Sequence, residues 1–178
     1  MSAKNEIIRA VLRFVFRIRA FNDRCIRDFA RDVRGKTILE LGSGEQYKGR
    51  DYYSVSQYFD GSNTFIQSDI FPEFGHRIVD VTTMTETEEF DVILCLNVLE
   101  HVFDFQPAFK NMHRALKPHG TLIIFLPVFY PLHDEPYDYW RYTEHSLNKL
   151  LGEFAEIIIK RRGPVRQFPF AYYIEARK

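Results

Sequence analysis

The feature that most constrains this chain is the segment 36–45, KTILELGSGE, in which a short apolar run leads directly into two glycines. Residues 37–41 predict a strand that is covered on both faces, although Glu40 interrupts the apolar run. Gly42 and Gly44 allow a tight turn in which backbone N–H groups can face a ligand beyond the strand. A single Gly-x-Gly also occurs in ordinary strand-turn-helix junctions, so the segment alone does not identify a ligand.

Apolar segments with strand character recur along the rest of the chain. They lie at residues 64–68, 77–81, 90–96, 121–126, 156–160 and 170–175. Helical spacing is found over residues 105–116, which end at a Pro118-His119-Gly120 stop, and a short helix is expected over 144–151. Residues 45–60 show little helical periodicity. Strands that alternate with helices predict βαβ units, a parallel sheet and a ligand at the carboxyl ends of its strands.

Composition narrows the class of protein. A chain of 178 residues, 46% of them hydrophobic, is long enough for one domain with a substantial core. Lys plus Arg equals Asp plus Glu at 24 each, which argues against a general nucleic-acid binder. Cys25 and Cys95 have no spacing typical of a disulfide framework or a metal site, and this fits a reducing, cytoplasmic location. No apolar run reaches the roughly 18 residues of a membrane span.

The amino-terminal segment, residues 1–35, has its own pattern. Apolar residues recur at steps of three and four, arginines occupy much of the remaining surface, and the pattern predicts one or two amphipathic helices. Residues 1–36 contain ten basic and four acidic groups, a net charge of +6, which leaves −6 for the rest. A membrane-surface helix and a targeting peptide are alternatives. A helix that packs on the domain with a solvated arginine face is the preferred interpretation.

A second region of unusual composition is the segment 127–143, which we call the aromatic loop. It combines six aromatic residues with acidic residues, His133, Arg141 and three prolines. Long loops of this composition are often functional, although any single aromatic is more typically a cover for the end of the sheet.

Polar and glycine motifs follow several of the predicted strands, and in order they resemble a known family. The glycine turn LELGSGE, the segment FDVILCLNVLEHV and the segment RALKPHGTLIIFLPV resemble class I S-adenosylmethionine-dependent methyltransferases, and are closest to the type-11 methyltransferase domains. The aromatic-loop motif HDEPYDYWRYT resembles a signature of one branch of that group. The resemblance covers residues 36–152 well.

The resemblance implies a Rossmann-like three-layer α/β sandwich, with a mostly parallel seven-stranded sheet and an antiparallel last strand. Residues 1–178 would form one class I methyltransferase domain, with a helical segment at 1–35 and a catalytic core at 36–178. The implied cofactor is S-adenosyl-L-methionine.

The family pattern also implies a cofactor site. Asp69 would accept hydrogen bonds from both ribose hydroxyls, because a carboxylate offers two acceptor oxygens. Asp80 would accept from the adenine amino group, and Glu40 would orient the glycine turn. The full implied set is Glu40, Gly42, Ser43, Gly44, Tyr47, Asp69, Ile70, Asp80, Val81, Asn97 and Val98.

Two departures bear on the alternatives. The third glycine of many family members is replaced by Gln46, and a nicotinamide-binding enzyme would need a glycine at Tyr47. Asn97 is followed by Val98 and Leu99, not by the Pro-Pro-aromatic sequence of enzymes that methylate nucleobase or amide nitrogens. A non-catalytic member of the fold that binds a ligand or partner through the aromatic loop remains an alternative, because methyl transfer depends mainly on orientation.

For the acceptor side, the sequence predicts methyl transfer to a small-molecule or glycan-linked acceptor, at oxygen, with no nucleic-acid partner. His133 is the first candidate for the base that takes the hydroxyl proton, and a structural histidine is the alternative. His101 is the other candidate for this base, but as part of the Glu100-His101 pair it is expected to lock the junction after the fourth strand. A metal beside Glu100 and His101, as some quinone-pathway O-methyltransferases hold, is a minor alternative, and no metal is predicted because two residues do not define a site. The predicted acceptor wall consists of Tyr137, Trp140 and Arg141.

Overall fold

The computed structural model describes residues 3–47, 50–51 and 54–178, with only the backbone described for 3–5, 7–13, 15, 46–47 and 50–51. The helices are α1 (Ala3–Ala30), α2 (Phe105–Ala115) and α3 (Glu144–Leu150). The strands are β1 (Thr37–Leu41), β2 (Gln46–Tyr47), β3 (Arg50–Asp51), β4 (Thr64–Asp69), β5 (Arg77–Ile78), β6 (Phe90–Leu96), β7 (Leu116–Pro127), β8 (Glu156–Arg162) and β9 (Ala171–Arg177). Short 3₁₀ helices lie at Ser56–Tyr58, Pro72–Phe74 and Leu99–His101.

The central sheet has seven strands in the order β5-β4-β1-β6-β7-β9-β8. The pairs β5-β4, β4-β1, β1-β6 and β6-β7 are parallel, and β9 runs antiparallel to both of its neighbours. This confirms the predicted α/β class, the seven strands and the antiparallel last strand. The carboxyl ends of β4, β1, β6 and β7 therefore meet along one edge, which we call the carboxyl edge.

Strict alternation along the strands builds the two halves of the core, because successive side chains of a strand point to opposite faces. Leu39, Ile93 and Ile124 face the side that α2 and α3 cover. Their sequence neighbours Ile38 and Ile123 face the side that α1 covers. Both faces are buried, which explains why the central strands are apolar without a polar side.

A single helix occupies the amino-terminal region. In the carboxyl-terminal half of α1, Ile18, Phe21 and Ile26 are buried against the sheet, together with Phe125 and Tyr173 of strands β7 and β9. The packed-helix interpretation is thus confirmed for this half of the helix. None of the helices in the described residues combines the length and the apolar character needed to cross a bilayer.

Three segments differ from the sequence-based expectation. The predicted strand 77–81 ends at Ile78, because the chain turns at Asp80, whose carbonyl accepts from the N–H groups of Thr83 and Met84 at 3.1 and 2.8 Å. Among residues 45–60, the described ones form the antiparallel strand pair β2–β3 and a short 3₁₀ helix, and no α-helix. Strand β7 begins at Leu116 instead of residue 121, with a register shift against β6.

Candidate active site

The glycine turn after β1 requires glycine for two physical reasons. Gly42 and Gly44 have φ angles of 69° and 70°, in the left-handed region that side chains disfavour. A Cβ atom on Gly42 would lie 2.6 Å from Cγ2 of Val98, the second residue after β6. The turn is therefore packed closely against the end of the neighbouring strand.

Glu40, the acidic residue within β1, accepts hydrogen bonds from other parts of the chain. Glu40 is buried, and its carboxylate accepts from the Ser43 hydroxyl and from the Val55 N–H, each at 2.8 Å. It thereby fixes the glycine turn and joins it to the segment that follows the β2–β3 hairpin.

Asp69, at the end of β4, also holds the glycine turn. Its Oδ2 accepts from the Gly44 N–H at 2.9 Å, and its Oδ1 accepts from the Phe71 N–H at 3.2 Å. The Ser43 N–H donates to the Ser68 carbonyl at 2.9 Å. Because a carboxylate offers about four lone-pair positions, these two bonds leave Asp69 able to accept further hydroxyl donors.

The other predicted cofactor residues lie farther along the same edge. Ile70 is exposed, whereas Val81 is buried and its carbonyl accepts from the Asn111 amide at 3.0 Å. Asp80 Oδ1 accepts from the N–H and hydroxyl of Thr82 at 2.8 and 2.7 Å. The predicted role of Tyr47 falls on a side chain outside the described part of the chain.

Asn97 directly follows β6 with a φ angle of 54°, and its N–H donates to the Phe125 carbonyl at 2.9 Å. This turn places Val98 against Gly42.

His76 was missed by the sequence reasoning. Its Nε2 lies 2.9 Å from the carbonyl oxygen of Gly44, so the loop between β4 and β5 also contacts the glycine turn. A lone histidine in a loop gives no sequence signal for this contact.

The aromatic loop folds over the 3₁₀ turn Leu99–His101. The N–H groups of Tyr139 and Trp140 donate to the Glu100 carbonyl at 2.8 and 3.2 Å, and the buried Tyr142 hydroxyl donates to the Leu99 carbonyl at 3.1 Å. The loop is therefore seated on the β6 end of the carboxyl edge by its own backbone and aromatic side chains.

A charged pair supports the loop from within. Asp138 is almost fully buried and is bonded by the Arg141 guanidinium at 2.5 and 2.8 Å. The Asp138 carboxylate also accepts from the His133 N–H at 3.1 Å and lies 3.2 Å from His133 Nδ1. The hydrogen bond from Arg141, which outweighs the effect of burial, lowers the pKa of Asp138 to about 2.

Glu100 is unusual among the acids of this site. It is fully buried, neither carboxylate oxygen has a hydrogen-bond partner among the described residues, and burial raises its pKa to about 8. The rings of His101 and His133 meet edge to face beside it, with centroids 4.9 Å apart. The structure therefore brings together both histidines that the sequence offered as candidate bases.

The three residues of the predicted acceptor wall do not share one surface. Tyr137 is exposed, and its carbonyl oxygen lies 3.0 Å from His101 Nδ1. Trp140 and Arg141 line a cavity of about 670 Å³ between α2 and α3, together with Phe105 and Phe109.

Known proteins that are similar to this chain in sequence or in fold include methyltransferases. Residues 40–124 match the model of a family described as a methyltransferase domain. No curated protein matches the sequence. The fold is similar to that of Burkholderia thailandensis 1,6-didemethyltoxoflavin-N1-methyltransferase, solved with 1,6-didemethyltoxoflavin and S-adenosylhomocysteine bound. That match has 20% identity and a TM-score of 0.63, and covers 100% of this chain and 91% of the other.

Two further solved structures have the same fold. Phosphoethanolamine N-methyltransferase 2 of Haemonchus contortus, solved with S-adenosyl-L-methionine, matches at 13% identity and a TM-score of 0.67 over 88% of this chain. The CurJ carbon methyltransferase matches at 16% identity and a TM-score of 0.60 over 82% of this chain. The chain spans about half the length of each, 52% and 49%.

The sheet order and the glycine turn at its carboxyl edge define a class I methyltransferase fold. The family match places a type-11 methyltransferase domain over residues 40–124. The chain thus has the fold of S-adenosylmethionine-dependent methyltransferases, and two of the similar structures were solved with S-adenosyl-L-methionine or S-adenosylhomocysteine bound.

Proposed function

We propose that the chain transfers a methyl group from S-adenosylmethionine to an oxygen of a small-molecule or glycan-linked acceptor, with residues 36–178 as catalytic core and 1–35 as a packed helical segment. The observation that carries the proposal is the convergence of the glycine turn, Asp69 and Val98 at the carboxyl edge. Open α/β sheets bind their ligands at this edge.

The residues at the edge fit the cofactor. The turn at Gly42 has no room for a Cβ, and the Asp69 carboxylate retains acceptor capacity for ribose hydroxyls. Exposed Ile70 offers an apolar surface for a flat ring, with Asp80 and Val81 beyond it. Glu40, Ser43, Gly44, Asn97 and Val98 surround the methionine side, and Tyr47 completes the proposed set.

The cofactor supplies an activated methyl group, so this chain must chiefly orient the acceptor and manage its proton. His133 is proposed to accept the hydroxyl proton. Its Nδ1 faces the Asp138 carboxylate at 3.2 Å, which holds the proton on Nδ1 and leaves the Nε2 lone pair available. His101 lies beside it as the second candidate.

The acceptor class rests on chemistry of the loop. Exposed Phe129, Tyr137 and Tyr139 provide rings on which a sugar or an aromatic acceptor can stack. Trp140 and Arg141, the other residues of the proposed acceptor wall, offer a second surface in the cavity between α2 and α3. Two similar structures are N-methyltransferases by name, one of them solved with a small substrate, which supports a small acceptor. The choice of oxygen and of a glycan-linked acceptor follows the branch that the aromatic loop resembles, which is found with surface-polysaccharide synthesis.

Calorimetry with S-adenosylmethionine and with S-adenosylhomocysteine tests the cofactor site. We expect binding of both, and a loss of about tenfold or more in Asp69→Ala, because a charged acceptor is removed. Asp32→Ala, an exposed acid after α1, is the matched control and should bind as the wild type does. Absence of binding, or equal binding by the Asp69 variant, would refute the proposed site.

A further inference from the structure

The fully buried Glu100 carboxylate has no hydrogen-bond partner in the described part of the chain. An unpaired buried carboxylate is costly, and buried polar groups without partners usually mark a missing ion, water or functional contact.

The two histidines beside Glu100 are both held with a lone pair to spare. His101 Nδ1 lies 3.0 Å from the Tyr137 carbonyl oxygen, so Nδ1 carries the hydrogen and donates it. His133 Nδ1 lies 3.2 Å from both the Pro131 carbonyl oxygen and the Asp138 carboxylate, and the same assignment follows. Metal-binding histidines are typically oriented in this way, with one ring N–H bonded to a carbonyl or carboxylate and the other nitrogen free to coordinate.

The spacing of these groups also suits a single ion. One ring nitrogen from each histidine and one Glu100 oxygen all lie within 4.8 Å of one another. His101 Nε2 is 4.0 Å from Glu100 Oε1 and 3.8 Å from Asp134 Oδ2. Two ligands at about 2.1 Å from one tetrahedral ion stand about 3.4 Å apart, so small side-chain movements would complete the coordination.

We propose that Glu100, His101 and His133 bind one divalent transition-metal cation, such as Zn²⁺, through the carboxylate and the two Nε2 atoms. Two imidazoles and one carboxylate favour such a cation over Mg²⁺ or Ca²⁺, which prefer oxygen ligands. A bound cation would stabilise the ionised form of the buried Glu100 carboxyl group. Both rings are partly exposed, and Asp134 is largely exposed, which leaves a fourth position for Asp134, water or an acceptor oxygen.

The catalytic consequence rests on the proposed transfer to oxygen. An acceptor hydroxyl at the fourth position would lose its proton to water more readily beside the cation. Its oxygen then bonds to the methyl carbon while the carbon–sulfur bond breaks and the electron pair stays on sulfur. Cation binding and proton acceptance use the same Nε2 lone pair of His133. The role of His133 as a base therefore applies to the metal-free chain, and with the cation bound the proton leaves to water.

Titration of the metal-free, untagged full chain with Co²⁺ tests the site by visible absorption, with Zn²⁺ added as the competitor and no cofactor present. We expect one Co²⁺ per chain, displaced by Zn²⁺. Glu100→Gln and His133→Ala should each weaken binding by about a hundredfold or more, because loss of a ligand exceeds the 10- to 100-fold effect of outer partners. His145→Ala, an exposed histidine of α3, is the control and should leave binding unchanged.

The proposed metal site would be refuted if Co²⁺ did not bind one-to-one. It would also be refuted if Glu100→Gln and His133→Ala both bound Co²⁺ as tightly as the wild type. Glu100→Gln keeps the shape of a buried side chain and removes its charge, and His133 is partly exposed, so folding of at least one variant is expected. Cofactor calorimetry on the same samples separates the two proposals: loss of the cation site with intact cofactor binding refutes only the metal.

Discussion

Gly42 is the residue at which the glycine turn and Val98 meet in the proposed cofactor site. We predict that Gly42→Ala destabilises the fold by about 1–2 kcal/mol, because a side chain disfavours its φ of 69°. The new Cβ would also press on Val98 at 2.6 Å, so affinity for S-adenosylmethionine should fall by about tenfold or more. Thermal unfolding and calorimetry measure the two effects.

Variants at two other glycines distinguish the backbone cost from the steric contact with Val98. Gly35 has a φ of 61° with nothing near its would-be Cβ, so Gly35→Ala should show the backbone cost without the loss of cofactor affinity. Gly61 has neither constraint, and Gly61→Ala should be close to neutral in both measurements. Normal cofactor affinity in Gly42→Ala would contradict the proposed role of the turn.

The sequence could predict the positions of site residues that lie at or near the end of a predicted strand. Glu40 and Asp69 follow from the strand pattern, and both contact the glycine turn. Arg141 illustrates the limit. Its bond to Asp138 depends on how the aromatic loop turns, and a charge three residues away in a loop has no fixed geometry, so the sequence indicated a surface residue instead.

At the scale of elements, Asp91 ties three strands together at the amino edge of the sheet. It accepts from the Thr37 N–H at 3.0 Å and from Lys117 Nζ at 2.8 Å, which joins β6 to β1 and β7. Burial alone would raise the pKa of Asp91, but the bonds from Lys117 and Thr37 and the lysine charges outweigh it and lower the pKa below its ordinary value.

Asp91→Asn should therefore lower the free energy of unfolding by about 1 kcal/mol at neutral pH. Since the folded pKa is depressed, this contribution is present above the unfolded pKa of about 4 and is lost as the pH falls through the folded value. Urea unfolding of both proteins between neutral and acid pH measures the difference. Asp28→Asn, which removes an exposed pair with Arg31, is the control and should change little; a difference at Asp91 that persists undiminished in acid would contradict the prediction.

Elements with both faces buried were predicted well, because an apolar run such as β6 leaves few alternatives. The segment 77–81 was read as a longer strand, since alternation alone cannot show that Asp80 closes a turn with Thr82. The segment 45–60 was also hard to read, because its hairpin has strands of only two residues, too short to create a periodic pattern.

For the molecule as a whole, helix α1 covers one face of the sheet, and the described residues between β1 and β4 add no α-helix to it. Ile26 is fully buried in that interface. We predict that Ile26→Ala destabilises the protein by about 2–4 kcal/mol, because it leaves a cavity in the core. Phe16→Ala, in an exposed side chain of the same helix, should change stability by less than about 0.5 kcal/mol in chemical unfolding; similar losses in both variants would show that α1 does not depend on this packing.

The same packing predicts weak membrane association. The apolar side chains Ile18, Phe21 and Ile26 of α1 are already buried against the sheet, so arginines alone cannot hold the protein on a bilayer firmly. In sedimentation with anionic liposomes at an ionic strength of about 0.15 M, where exposed charges are screened, the protein should remain in the supernatant. Pelleting with the vesicles under these conditions would show that the helix leaves the sheet or binds through its other face.

Helix α1 is synthesised before the strand β9 against which it packs. The helix emerges from the ribosome early, whereas Ala171 and Tyr173 of β9, which belong to the surface it covers, emerge far later. Until then the sheet surface that buries the helix is incomplete. The apolar side chains and arginines of the new helix can then bind chaperones or ribosomal RNA. Such long-range contacts slow folding, so the nascent chain depends on that interval passing without aggregation.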